Sequence, residues 1–328
     1  PIECALAEIW CDILGVPQAS IHDNFFEQGG HSLLAVHLIY QIKKQFNKDL
    51  PLSALFRGPT IATLATILGQ SSEASTWSPL IQLQHRGSKQ PFFCVHPIGG
   101  NVLCYADLAR HLGSDRPFYG LQAPGLDGEQ EPYETIEQMA ARYIEAIQTV
   151  QASGPYLLGG WSLGGVVAFE MAQQLRTQGH ETSLLVLLDS WIALPNAVFK
   201  QGEADALAVF SQEITSFLDQ NVVDEAFDAM LHQQAHQLTQ VVKVHYRALC
   251  SYVPKIYPKR ILLFTPHNRS LSHDIPGFSA NWGTLTSAEL EICIVSGDHN
   301  SMMTEPFVQT LATRLKSSID EMESSSKS

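Results

Sequence analysis

Apolar residues recur at helical spacing from the start of the chain. Ile2, Leu6, Ile9, Ile13 and Leu14 share one face of residues 2–16, and Leu34, Leu38, Ile39, Ile42 and Phe46 do the same across residues 32–46. A third, shorter helix is predicted over residues 60–68, with Thr60 as its N-cap after Pro59. Together these predict a small all-helical bundle over residues 1–70. Periodicity then vanishes in Gly69-Gln70-Ser71-Ser72-Glu73-Ala74-Ser75-Thr76-Trp77-Ser78-Pro79, a small and polar stretch that reads as a domain linker at 71–79.

Beyond the linker the pattern changes to short β-branched, aromatic or leucine-rich runs separated by amphipathic segments. Strands are predicted at Leu80–Leu83, Phe92–His96, Phe118–Leu121, Tyr156–Gly160, Leu184–Leu188, Ile261–Thr265 and Ile292–Val295. Helices are predicted at Val102–Leu112, Ile136–Val150, Leu163–Gln178 and Phe307–Met322, with Thr135 and Gln138 spaced as a capping box. Such alternation gives a mostly parallel sheet covered on both faces, here spanning residues 80–322, with a tail at 323–328. From about Trp191 to Val253 only helical patterns appear, so an all-helical insertion, or lid, is expected at about 192–253.

Composition narrows the classes. A formal charge of −13 is the wrong sign for a nucleic-acid surface, and no apolar run is long enough to predict a membrane span. The six cysteines form no C-x-x-C pair and several sit in apolar runs, which predicts buried, reduced thiols in a cytoplasmic protein and no metal site. The chain starts in a helical pattern at Pro1 without a signal segment, as expected of a piece excised from something longer.

Two serines stand where chemistry is expected. Ser32 follows Gly29-Gly30-His31 at the start of a helix; in isolation it reads as an N-cap. Its surroundings add to that, since Phe25 and Phe26 can anchor the loop, the two glycines permit unusual backbone, and a helix N-terminus favours phosphate. Ser162 lies in Gly160-Trp161-Ser162-Leu163-Gly164, between a predicted strand and a predicted helix, the context of a G-x-S-x-G nucleophile elbow. A serine needs a base oriented by a carboxylate. His299, in Gly297-Asp298-His299 just past the last strand, has the right chain order, ahead of His96 and His267. Two acids compete: Asp189 ends the strand after the nucleophile helix, and Asp274 lies in the loop after Ile261–Thr265, with Asp298 disfavoured by adjacency to His299. The glycine turn at His96-Pro97-Ile98-Gly99-Gly100 can aim a backbone N–H at a developing oxyanion, and the helix-start N–H of Leu163 can supply a second donor.

Asp23-x-Phe25-Phe26-x-x-Gly29-Gly30-His31-Ser32-Leu33 closely resembles the modification signature of peptidyl carrier domains of nonribosomal peptide synthetases. The resemblance covers residues 1–70 and implies a bundle of the four-helix type. It also implies 4′-phosphopantetheine on Ser32, transferred from coenzyme A by a phosphopantetheinyl transferase. Residues 78–322 resemble the type I thioesterases of peptide and polyketide synthetases, an α/β-hydrolase family, through His96-Pro97-x-Gly99-Gly100, Gly160-Trp161-Ser162-Leu163-Gly164-Gly165, Leu188-Asp189-Ser190 and Gly297-Asp298-His299. That resemblance implies nucleophile Ser162, acid Asp189, base His299 and oxyanion donors Ile98 and Leu163. The implied function is release of an acyl or peptidyl chain by hydrolysis or macrocyclisation, with condensation and adenylation domains upstream. A carrier joined to a non-catalytic hydrolase-like docking domain requires a broken triad, and none of its residue types is missing. A stand-alone serine esterase leaves the Ser32 signature without a purpose.

Overall fold

The structure is a computed structural model and describes residues 2–26, 28–30, 32–48, 50, 54–55, 58–69, 77–126, 128, 130–193, 225–268, 278–279 and 282–325. The first unit holds α1 (Ile2–Leu14), α2 (Ser32–Phe46) and α3 (Ile61–Gly69). Their apolar stripes meet in a core of Leu6, Trp10, Phe25, Leu38, Ile42 and Leu64. Trp10 packs edge-on to Phe25 at 5.0 Å, and its indole N–H donates to Gln28 Oε1 at 3.0 Å, so the loop leading to Ser32 is tied to α1. Thr60 caps α3 as expected, its Oγ1 accepting from the Thr63 N–H at 3.3 Å.

The second unit is built on a seven-stranded sheet. Its strands are β1 (Leu80–Gln84), β2 (Phe92–Val95), β3 (Phe118–Leu121), β4 (Tyr156–Trp161), β5 (Thr182–Leu188), β7 (Ile261–Pro266) and β9 (Leu290–Val295), in the order β1-β3-β2-β4-β5-β7-β9. Only β1 runs antiparallel to its neighbour. Helices α4 (Ala106–Leu112) and α8 (Phe307–Ser325) cover one face, and α5 (Ile136–Gln148) and α6 (Leu163–Thr177) the other. Central strands buried on both faces explain the unbroken apolar runs, such as the fully buried Phe92-Phe93-Cys94-Val95. This is the α/β-hydrolase architecture.

Several details differ from the sequence reading. The helix expected from Val102 begins as a 3₁₀ turn, Leu103–Tyr105, before α4. Thr135 caps α5 through the Gln138 N–H at 3.1 Å, but Gln138 Oε1 accepts from the Glu134 N–H rather than closing the box on Thr135. The insertion is not helical from its start, because Ile192–Ala193 forms a short strand, β6, paired antiparallel with β8 (Phe278–Ser279). β-Branched Ile192 beside an available strand favours extended backbone. Residues 194–224 of the expected lid and 71–76 of the expected linker lie outside the described residues. The insertion re-enters as α7 (Glu225–Ser251), whose Val241, His245, Ala248 and Leu249 are buried. The thiols are less uniformly hidden than expected: Cys94 is buried, but Cys4 is exposed.

Candidate active site

Ser162 sits between β4 and α6 with φ 56° and ψ −123°, a left-handed backbone that costs a non-glycine residue roughly 1–3 kcal/mol. The neighbouring glycines make this turn possible. A Cβ on Gly160 would lie 2.1 Å from the Gly164 carbonyl carbon, one on Gly164 would lie 2.1 Å from the Val95 oxygen, and one on Gly165 would lie 1.9 Å from Ser190 Oγ. The elbow is thus packed against β2 and the end of β5, and the Ser162 N–H donates to the Leu188 carbonyl at 2.9 Å.

Asp189 ends β5 and is also in the left-handed region, with φ 41°. Its N–H donates to the Phe264 carbonyl of β7 at 2.8 Å, which ties it to that strand. His299 follows β9, and its Nδ1 donates to Asp189 Oδ2 at 2.7 Å; the carboxylate is only 2% exposed. Two indoles flank the imidazole, Trp161 at 5.0 Å and Trp191 at 4.5 Å between ring centroids. Trp161 adjoins Ser162, so the elbow itself supplies one wall of the histidine site. No hydrogen bond joins Ser162 Oγ to His299 among the described residues.

The other acidic and histidine candidates are placed elsewhere. Asp298 caps its own turn, its Oδ1 accepting from the Asn300 and Ser301 N–H groups and the Ser301 hydroxyl, and these bonds hold its pKa below the ordinary carboxylate value. Asp274 lies outside the described residues. His267 is exposed. His96 is fully buried, with Nε2 2.7 Å from the Tyr143 hydroxyl and Nδ1 2.7 Å from the Pro97 carbonyl.

The Pro97–Gly100 turn closes through the Gly100 N–H to Pro97 carbonyl bond at 2.9 Å, and Gly100 has φ 80°. Helix α7 lies over it: Leu238 and Val241 line the space that a side chain at Gly99 or Gly100 would enter. Sequence reasoning missed Tyr105, whose buried hydroxyl donates to the Val95 carbonyl at 2.5 Å and accepts from the Trp161 N–H at 2.8 Å, joining the ends of β2 and β4. It also missed His245, whose Nδ1 donates to the Ile98 carbonyl at 2.8 Å from 147 positions away. Neither has a local signal, since each acts through a contact that only the folded topology creates.

In the first unit, Gly29 has φ 97°, and a Cβ on Gly30 would collide with Phe25 at 2.3 Å. The loop therefore passes tightly over a buried phenylalanine and leaves residue 32 at the head of the 15-residue α2. A helix N-terminus reached by a close-passing glycine loop favours a phosphate.

Comparison with known families decides the reading. Residues 90–317 match the thioesterase domain family. The chain belongs to that family. Ahead of the thioesterase, residues 4–68 match the phosphopantetheine attachment site family, so the covalent cofactor of the first unit is 4′-phosphopantetheine. The thioesterase chain is 47% identical over 191 residues to the dimodular nonribosomal peptide synthase of Bacillus subtilis (strain 168), covering 58% of this chain and 8% of that one. Among solved structures it resembles the four-domain nonribosomal peptide synthetase holo-AB3403 bound to AMP and glycine. That match has TM-score 0.65 and 30% identity over 97% of this chain and 26% of that one. It also resembles the NocB thioesterase domain in covalent complex with a fluorophosphonate nocardicin G analog, with TM-score 0.55 and 26% identity over 71% of this chain and 96% of that one. The chain spans less than a tenth of the Bacillus synthase. It is a carrier–thioesterase pair of the nonribosomal peptide synthetase type. No helix among the described residues is long and apolar enough to cross a membrane.

Proposed function

We propose that the chain accepts an acyl or peptidyl group on a phosphopantetheine arm at Ser32 and releases it through an ester on Ser162. The arm supplies a thioester, whose carbonyl is the electrophile and whose thiol is the leaving group. Ser162 Oγ attacks that carbonyl while His299 Nε2 takes the hydroxyl proton and then delivers it to the departing sulfur. Asp189 holds the imidazole with Nδ1 protonated and steadies the imidazolium formed in transit. The N–H groups of Ile98 and Leu163 bind the developing oxyanion. His299 then takes a proton from water, or from a nucleophile within the bound acyl or peptidyl group, which attacks the ester carbonyl; as the bond to Ser162 Oγ breaks, that proton passes to Oγ, and a linear acid or a macrocycle is freed.

What supports this most is the conjunction at one sheet edge of a positive-φ serine and a buried carboxylate 2.7 Å from a histidine, following a carrier unit in the same chain. The two units also touch. Phe227 and Leu231 of α7 pack against Leu34, Val36 and Tyr40 of α2, the helix headed by Ser32. A linker of about 10 residues, reaching at most ~35 Å, keeps the units at millimolar-scale effective concentration. A phosphopantetheinyl transferase with coenzyme A would load Ser32, and condensation and adenylation domains would supply the chain upstream.

Intact-mass measurement after treatment with a phosphopantetheinyl transferase and coenzyme A should show one pantetheine adduct, lost in Ser32→Ala. A serine-directed fluorophosphonate should label wild type at Ser162. An adduct that survives Ser32→Ala, or labelling at another serine, overturns the assignment.

A further inference from the structure

His96 and His245 lie in different elements, one ending β2 and the other on α7, yet their rings stack at 4.9 Å with an interplanar angle of 17°. Both are fully buried. A carbonyl oxygen can only accept, so the contacts to Pro97 and Ile98 fix both rings with Nδ1 protonated. The Tyr143 hydroxyl then donates to His96 Nε2. Two consecutive carbonyls of the glycine turn are thus each held by one histidine of a stacked pair.

The consequence follows from peptide geometry. Across a trans peptide the C=O and the following N–H point in opposite directions, and the only cis bonds among the described residues are Gly154-Pro155 and Glu305-Pro306. Fixing the Pro97 carbonyl, which also accepts from Gly100, therefore fixes the direction of the Ile98 N–H. Fixing the Ile98 carbonyl holds the next peptide plane in register. We propose that His96 and His245 are positioning residues for the oxyanion hole: the stacked pair aims the Ile98 N–H, and His245 makes that aim depend on the seating of α7. The proposal rests on the Ser162 acyl-enzyme reading above and adds the residues that tune it.

The test uses the full chain and a soluble acyl thioester, with kcat and KM measured separately. His245→Leu should lower kcat about 10-fold or more while KM stays within about twofold, a smaller loss than the ~10²–10³ for removing a donor outright. His245→Asn should recover most of the rate, because its amide Nδ2 stands where Nδ1 stands. Tyr143→Phe keeps the ring and removes the hydroxyl that anchors His96 Nε2, so it should lower kcat in the same sense and serves where the leucine variant fails to fold. Wild-type kcat in Tyr143→Phe or in folded His245→Leu, or an asparagine variant no better than leucine, overturns the proposal. Fluorophosphonate labelling of wild type separates the two levels. Labelled wild type with unaffected variants contradicts only the positioning role, whereas an unlabelled but active wild type contradicts the Ser162 reading beneath it.

Discussion

Asp189 and His299 meet at 2.7 Å although 110 positions separate them, and the Asp189 backbone, in the left-handed region, is tied to β7 by its N–H bond to the Phe264 carbonyl. Replacing the carboxylate by an amide leaves the shape and favours the wrong imidazole tautomer. Asp189→Asn should lower turnover by up to ~10⁴, with the fold unchanged by circular dichroism. If the variant keeps most of its activity and Asp274→Asn loses it, the acid is Asp274.

The elbow predicts a stability effect at a position without reactive atoms. Gly164→Ala drives a Cβ to 2.1 Å from a backbone oxygen of β2, which cannot yield as a side chain would. It should cost about 1–3 kcal/mol in a denaturant melt, as overpacking does. Gly69→Ala, where an added Cβ meets nothing within 4 Å, should leave the melt in place.

Much of this was legible in the chain because its signals are local. Short apolar runs marked β2, β4, β5 and β9, and Gly160 and Gly164 beside Ser162 marked the elbow. Asp189 stood out because it interrupts a leucine run at a strand end. What escaped depends on contacts between distant segments. Tyr105 reads as one more apolar residue of a helix start, and His245 as one histidine among thirteen until α7 lays it against the Ile98 carbonyl. The β6–β8 pair escaped because two-residue strands carry no periodicity.

Burial of His245 gives a pH dependence. Desolvation pushes the His245 pKa down from 6.5 to about 4, and it pushes His96 down as well, while the facing Tyr143 is pushed up and stays neutral. Between pH 6.5 and about 4 the unfolded chain binds a proton at residue 245 that the folded chain does not. That contribution is therefore complete above pH 6.5 and is lost as pH falls to about 4, at up to ~1.4 kcal/mol per pH unit. Denaturant melts across this range should show a shallower slope for His245→Asn than for wild type. Equal slopes would remove His245 as the source.

The contact between the units predicts a split between two substrates. Phe227 lies 4.5 Å from the His37 ring and 5.0 Å from the Tyr40 ring of α2. Phe227→Ala should slow release from the loaded carrier several-fold while leaving hydrolysis of a small soluble thioester unchanged, measured side by side on the same preparation. Equal slowing of both would place Phe227 in the lid's own packing rather than in delivery.

The central claim is that a chain carried at Ser32 passes through an ester on Ser162. Its most direct test is a single turnover by intact-mass spectrometry, in which Ser32 is loaded enzymatically with an acyl-pantetheine group and the chain is sampled over time. Wild type should lose the acyl mass and return to the holo form, while Ser162→Ala should keep the acyl group on the Ser32 arm throughout. Release from Ser162→Ala at the wild-type rate would contradict the account.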